Sequence, residues 1–118
     1  MKAAILLCLI AIFYHPAPLT ISTHASYYAD NLSGHLMADG RPYNPSDLVC
    51  ASWDFPLGTS VRVTAGETQR TVQVVVSDRG PARRIYERGV GIDLSRDAFK
   101  AIAPLSQGLV EVTVTEIK

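Results

Sequence analysis

Ser60-Val61-Arg62-Val63-Thr64 alternates polar and apolar residues, and Arg70 to Val76 returns as a second strand-like run after Ala65-Gly66-Glu67-Thr68-Gln69. A period of two puts successive side chains on opposite faces of an extended chain. Two such runs joined by a short Gly-containing turn form a β-hairpin. This hairpin is the strongest local constraint in the chain, because it commits the middle of the sequence to antiparallel sheet with one apolar face.

The remaining segments extend that pattern. Leu109 to Ile117 alternates again, with Val110, Val112 and Val114 on one face and Glu111, Thr113 and Thr115 on the other. Leu48 to Ala51 and Val90 to Leu94 are shorter strand candidates, and a first strand is expected to open at Ser26-Tyr27-Tyr28. Arg96 to Ala103 alone reads as helix: Ser95 can cap it, Asp97 favours its first turn and Pro104 ends it. Gly34 to Asp47 carries Gly40, Pro42 and Asn44-Pro45, so a long loop with turns is expected there. Six short strands and one short helix predict a mainly β fold, a small closed barrel, since closure removes exposed strand edges.

The first 25 residues read as a leader, leaving residues 26–118 as a single domain. Met1-Lys2 is a short positive start, Ala3 to Tyr14 is apolar, and Thr23-His24-Ala25 offers small residues for cleavage after Ala25. That apolar run is well short of the ~20 residues that span a bilayer. Cys8 follows Leu6-Leu7 instead of a small residue, so no lipid anchor is expected, and no membrane anchor once the leader is removed. Export to the periplasm or beyond follows. Cys50 then remains as a lone cysteine with apolar neighbours, the setting of a buried inert thiol. All eleven acidic residues and every basic residue except Lys2 lie after Ala25. Such a balance gives no general pull toward nucleic acid.

Two carboxylates end apolar runs: Asp78, in Ser77-Asp78-Arg79-Gly80-Pro81, and Asp93, in Ile92-Asp93-Leu94-Ser95. Brought together by the fold, they would make a paired-acid site of the kind used on glycosidic bonds. Each also has a purely structural use, Asp78 capping a turn and Asp93 bonding backbone at a helix entry. Arg79, Arg83, Arg84 and Arg88 lie close to Asp78 in sequence. They form either a solvated loop or a basic rim suited to a substrate with carboxylates, which arginine forks bind bidentately.

Five segments together resemble the rare lipoprotein A family: Ala25-Ser26-Tyr27-Tyr28-Ala29, Met37-Ala38-Asp39-Gly40, Phe55 to Thr64, Val74 to Pro81, and Ile92-Asp93-Leu94-Ser95-Arg96. The resemblance implies a double-psi β-barrel in the bacterial envelope, related more distantly to barwin-like and expansin-like barrels. It implies peptidoglycan glycan strands as the partner and endolytic lytic transglycosylase activity, which needs no cofactor and no metal. Asp78 matches the family's functional aspartate, and Asp93 matches the acid of expansin-like barrels. Two positions depart from the family: Arg41 stands where a Glu is usual, and Ser52 where a His is usual. Trp53 is either a sugar-stacking platform or a core residue. Arg79, Arg41, Ser52, Trp53 and Tyr43 are the expected substrate contacts. A non-catalytic barrel that binds wall polysaccharide is the other reading the departures allow, and nothing in the sequence identifies a protein partner.

Overall fold

The structure, a computed structural model, describes residues 17–118; the apolar run expected to belong to a leader, and Cys8 within it, lie outside the described residues. Six strands are present among them: β1 (Thr20–Tyr27), β2 (Val49–Ser52), β3 (Ser60–Ala65), β4 (Thr71–Asp78), β5 (Val90–Leu94) and β6 (Val110–Glu116). They close into a barrel in the order β1-β5-β2-β4-β3-β6. The β1/β5 and β2/β4 pairs are parallel and the others antiparallel. The expected hairpin is the β3/β4 pair, with Val61 opposite Val74 and Val63 opposite Val72.

Alternation sets the core. Val61, Val63, Val72, Val74, Val110 and Val112 are buried, while Arg62, Gln73 and Glu111 between them face solvent. Phe55, Phe99 and Ile102 plug the interior, each fully buried or nearly so. Burying side chains of this size stabilises by about 1.5–3 kcal/mol each relative to exposure. The helix expected from Arg96 is α2 (Arg96–Ile102): the Ser95 hydroxyl accepts from the Ala98 N–H at 3.3 Å, and Ala98, Phe99 and Ile102 form its buried face. One element was not expected. A single turn, α1 (Arg83–Tyr86), sits in the arginine-rich segment, so the barrel carries two short helices and not one. It has no side-chain cap and no buried residue, so neither a capping signal nor an apolar period marks it.

The first strand also starts earlier than Ser26. Thr20 to Ala25 pair residue by residue with Thr115 to Val110, and Ala25 is fully buried in the core. The expected processing point after Ala25 therefore falls inside β1.

Two bulges interrupt the parallel pairs. In β5 the register passes from His24↔Val90 to Ala25↔Ile92, leaving Gly91 as the extra residue. A Cβ on Gly91 would lie 2.5 Å from Thr23 Oγ1 and 3.1 Å from Thr23 Cβ, both on the neighbouring strand. Gly91→Ala should accordingly destabilise the barrel by about 1–3 kcal/mol, the usual cost of overpacking. Thermal melting of Gly91→Ala with and without Thr23→Ala checks this, the second change expected to recover part of the loss.

Candidate functional site

The strand pairings place both aspartates in one lateral row. Ser26 of β1 pairs with Asp93 of β5, Asp93 pairs with Ala51 of β2, and Ala51 pairs with Asp78 of β4. Paired residues on neighbouring strands point to the same face of a sheet. That face is the outer one: Cys50 belongs to the main core, whereas Ala51 packs in a separate cluster with Tyr28, Met37, Tyr43 and Val49. Adjacent strands lie about 4.8 Å apart, which puts the two carboxylate-bearing backbones about 10 Å from each other across β2.

The second bulge is what turns Asp78 outward. Cys50 pairs with Val76 but Ala51 pairs with Asp78, so Ser77 is the extra residue on β4. Without it, strict alternation after the buried Val74 and Val76 would point Asp78 into the barrel. A bulge that re-aims one side chain is a frequent device beside functional sites. Gly80 then folds back against β2, where a Cβ would stand 3.2 Å from the Ala51 methyl.

Asp78 accepts three hydrogen bonds: the Tyr28 hydroxyl to Oδ2 at 2.6 Å, and the Ala38 and Arg79 N–H groups to Oδ1, each at 2.8 Å. Burial raises the Tyr28 pKa, and the Asp78 hydrogen bond and charge raise it further, so Tyr28 stays a neutral donor. Its ring stacks on Tyr43 at 4.3 Å. Asp93 accepts from the Ser26 hydroxyl. Burial pushes its carboxyl above the usual range; the Ser26 hydrogen bond opposes that rise and the nearby Asp78 charge adds to it. Burial, with the Asp93 charge, likewise raises the Cys50 thiol, which is fully enclosed.

Around this row the expected contact residues divide. Arg41 reaches it: Nε donates to Asp39 Oδ2 at 2.9 Å, and Nη2 donates to the Ser77 hydroxyl at 3.2 Å. Asp39 is held below its ordinary pKa by the Arg41 N–H and guanidinium. Trp53 lies beyond Ser52 and is half-buried, not a core residue; its indole N–H donates to the Pro81 carbonyl at 2.7 Å. The Arg83 guanidinium stands 4.2 Å from the Trp53 ring centroid and so occupies one face of the indole. Arg79 donates from Nη1 to the Ser52 and Phe55 carbonyls at 2.8 and 2.6 Å, so that nitrogen braces the β2 end instead of forming a basic rim. Ser52 is 1 % exposed and accepts from the Asp54 N–H. Tyr43 is 2 % exposed and its hydroxyl accepts from the Arg96 N–H. Both support the site from beneath and present no face to a ligand.

Ser26 and Tyr28 were not anticipated as site residues. They lie in the Ala25-Ser26-Tyr27-Tyr28-Ala29 segment, and their i, i+2 spacing on one strand face was the available signal. Two open clefts, of about 430 and 440 Å³, lie at the other end of the barrel near Gly66 and Thr68, and neither includes Asp78 or Asp93. Volume alone therefore does not pick out the carboxylate row; its chemistry does.

A closed six-stranded barrel with two parallel pairs and two outward aspartates either side of β2 is a double-psi β-barrel of the rare lipoprotein A type. The chain belongs to the DPBB_1 family, described as lytic transglycolase, whose model matches residues 20–114. It is similar to the Synechocystis protein ssl3177, 41% identical over 93 residues, with 79% of this chain and 94% of that one covered. It is also similar to the endolytic peptidoglycan transglycosylase RlpA of Pasteurella multocida, 36% identical over 94 residues and covering 80% of this chain. The match spans only 31% of that longer relative. Among solved structures, Streptomyces papain inhibitor superposes with a TM-score of 0.67 at 29% identity, covering 89% of this chain and 100% of the inhibitor.

Proposed function

We propose that the protein is an envelope protein, periplasmic or secreted, that binds peptidoglycan glycan strands along the Asp93–Ala51–Asp78 row. There it cleaves the bond between N-acetylmuramic acid and N-acetylglucosamine as a lytic transglycosylase. The observation that carries this reading is the row itself, two carboxylates on one outer face, with the Asp93 carboxyl raised by burial and, to a lesser degree, by the Asp78 charge. A group held protonated above the ordinary carboxylate range is what acid catalysis near neutrality requires. The similarity to a peptidoglycan transglycosylase supports the choice of polymer.

The reaction needs one good acid. The Asp93 carboxyl donates its proton to the glycosidic oxygen as the C1–O bond breaks, and the departing sugar leaves as an alcohol. The resulting carboxylate takes the proton of the C6 hydroxyl of the muramic residue while that oxygen closes on C1, giving a 1,6-anhydro end and restoring the acid. Asp78, tied down by Tyr28, Ala38 and Arg79, supplies a nearby charge that adds to the rise burial gives the Asp93 carboxyl.

The presence of Arg41 and Ser52 at the departing positions favours a second reading, a barrel that binds the wall without cutting it. Incubation of the protein with purified sacculi separates the two. Release of 1,6-anhydromuropeptides, read by mass spectrometry, is expected. Co-sedimentation with sacculi and no anhydro product would leave the binder, and sink the lyase.

A further inference from the structure

We propose that Arg41 selects a carboxylate-bearing glycan over a neutral one, a specificity role that rests on the peptidoglycan reading above. The Arg41 side chain is 63% exposed yet fixed in place. Its own N–H donates to Asp39 Oδ1 at 3.0 Å, Nε to Asp39 Oδ2 at 2.9 Å and Nη2 to Ser77 Oγ at 3.2 Å. Nη1 has no hydrogen-bond partner among the described residues, and the second Nη2 hydrogen is also uncommitted. The end of the fork, the edge that accepts a carboxylate in bidentate fashion, is therefore turned outward and unused.

Its position makes that edge relevant to substrate. Ser77, which Arg41 touches, is the bulged residue immediately before Asp78, and Ala38 in the same loop donates to Asp78 itself. The loop is tied to β4 a second time by the Asp39 N–H, which donates to the Ser77 carbonyl at 3.1 Å. Asp39 and Asp78 place negative charge beside the site, which repels an acidic polymer unless a cation stands at the point of contact. Arg41 is that cation. Asp39 is a positioning residue for it, since removing its carboxylate frees the guanidinium to rotate away.

The ligand chemistry is a carboxylate on the glycan strand, borne either by the lactyl group of muramic acid or by a stem peptide. The test measures binding of the full chain to four probes: strands with stem peptides, strands stripped of them, stripped strands with their carboxyls converted to amides, and neutral chitohexaose. The wild-type chain is expected to bind the free acids about tenfold more tightly than the amidated strands, in line with a charge-assisted bidentate contact. Arg41→Gln is expected to reduce that preference to within about twofold, with Arg41→Lys and Asp39→Asn in between, at unchanged melting temperature. Preference on peptide-free strands assigns the lactyl carboxylate, and preference confined to peptide-bearing strands assigns the stem. An undiminished preference in Arg41→Gln overturns the proposal, as does a wild type that binds acid and amide equally, though that result leaves the cell-wall reading intact. A wild type that binds none of the strands overturns the cell-wall reading as well.

Discussion

Asp93→Asn should lower the release of anhydromuropeptides about 10²–10⁴-fold, the range supplied by a positioned general acid. The substitution is nearly isosteric, and the asparagine carbonyl can still accept from the Ser26 hydroxyl, so the row should keep its geometry. Stability should not confound the result. A carboxyl whose folded pKa lies above its unfolded value contributes stability that is present at acid pH, below the ordinary value near 4, and lost as pH rises through the folded value. The wild type therefore carries a penalty at neutral pH that Asp93→Asn removes, and the variant should melt no lower than the wild type at pH 7. Activity in the wild type should fall as pH rises through that same raised value, because the acid form is lost. Asp78→Asn is expected to behave differently. It keeps an acceptor for the Ala38 and Arg79 N–H groups but deletes the charge that helps hold Asp93 protonated, so the alkaline fall in activity should move to lower pH. Wild-type product yields from Asp93→Asn would rule Asp93 out as the acid.

Much of the fold could be read from local pattern, and the exceptions share a cause. The β3/β4 hairpin, β6 and α2 announce themselves because period-two alternation, a turn and a capping serine act within a few residues. The outward aim of Asp78 does not, since it depends on a bulge at Ser77 that exists only in the pairing of β4 with the distant β2. Both aspartates were identifiable as candidates, but the order that joins them, β5 beside β2 beside β4, is a property of barrel closure. Ser52 stands where the resembled family usually has His, and Tyr43 is the other expected contact that proves enclosed. The loop from Tyr28 to Val49 buries Tyr43, with Tyr28 stacked on it, while Ser52 is enclosed within β2 opposite Ile92 of β5. Trp53 is half-buried and outside the core, and its stacking with Arg83 depends on α1, which left no sequence signal.

Thr23-His24-Ala25 shows the same limit at larger scale, and it leads to the prediction with the greatest effect on folding. Small residues around Ala25 match the pattern expected of a leader cleavage point, yet in the structure they occupy a strand whose partner lies almost at the other end of the chain. A chain beginning at Ser26 loses every paired position between β1 and β6, from Thr20↔Thr115 to Ala25↔Val110. It also loses the fully buried Ala25, the packing of Ile21 on the core, and the hydrogen bond from the Glu116 N–H to the Leu19 carbonyl. With β1 gone from that side, the barrel opens and β6 becomes a bare edge. Ladder hydrogen bonds contribute about 0.5–1.5 kcal/mol each, so their summed loss is comparable with the ~5–15 kcal/mol that holds a typical domain folded. The chain starting at Ala17 should therefore melt cooperatively, while the chain starting at Ser26 should melt more than about 20 °C lower or show no cooperative transition. Circular dichroism on the two chains reads this directly. Melting points within a few degrees of each other would mean that residues 20–25 are dispensable and that cleavage after Ala25 is compatible with the barrel. The expected outcome instead requires that any leader be cut ahead of Thr20, which the intact mass of the exported protein measures.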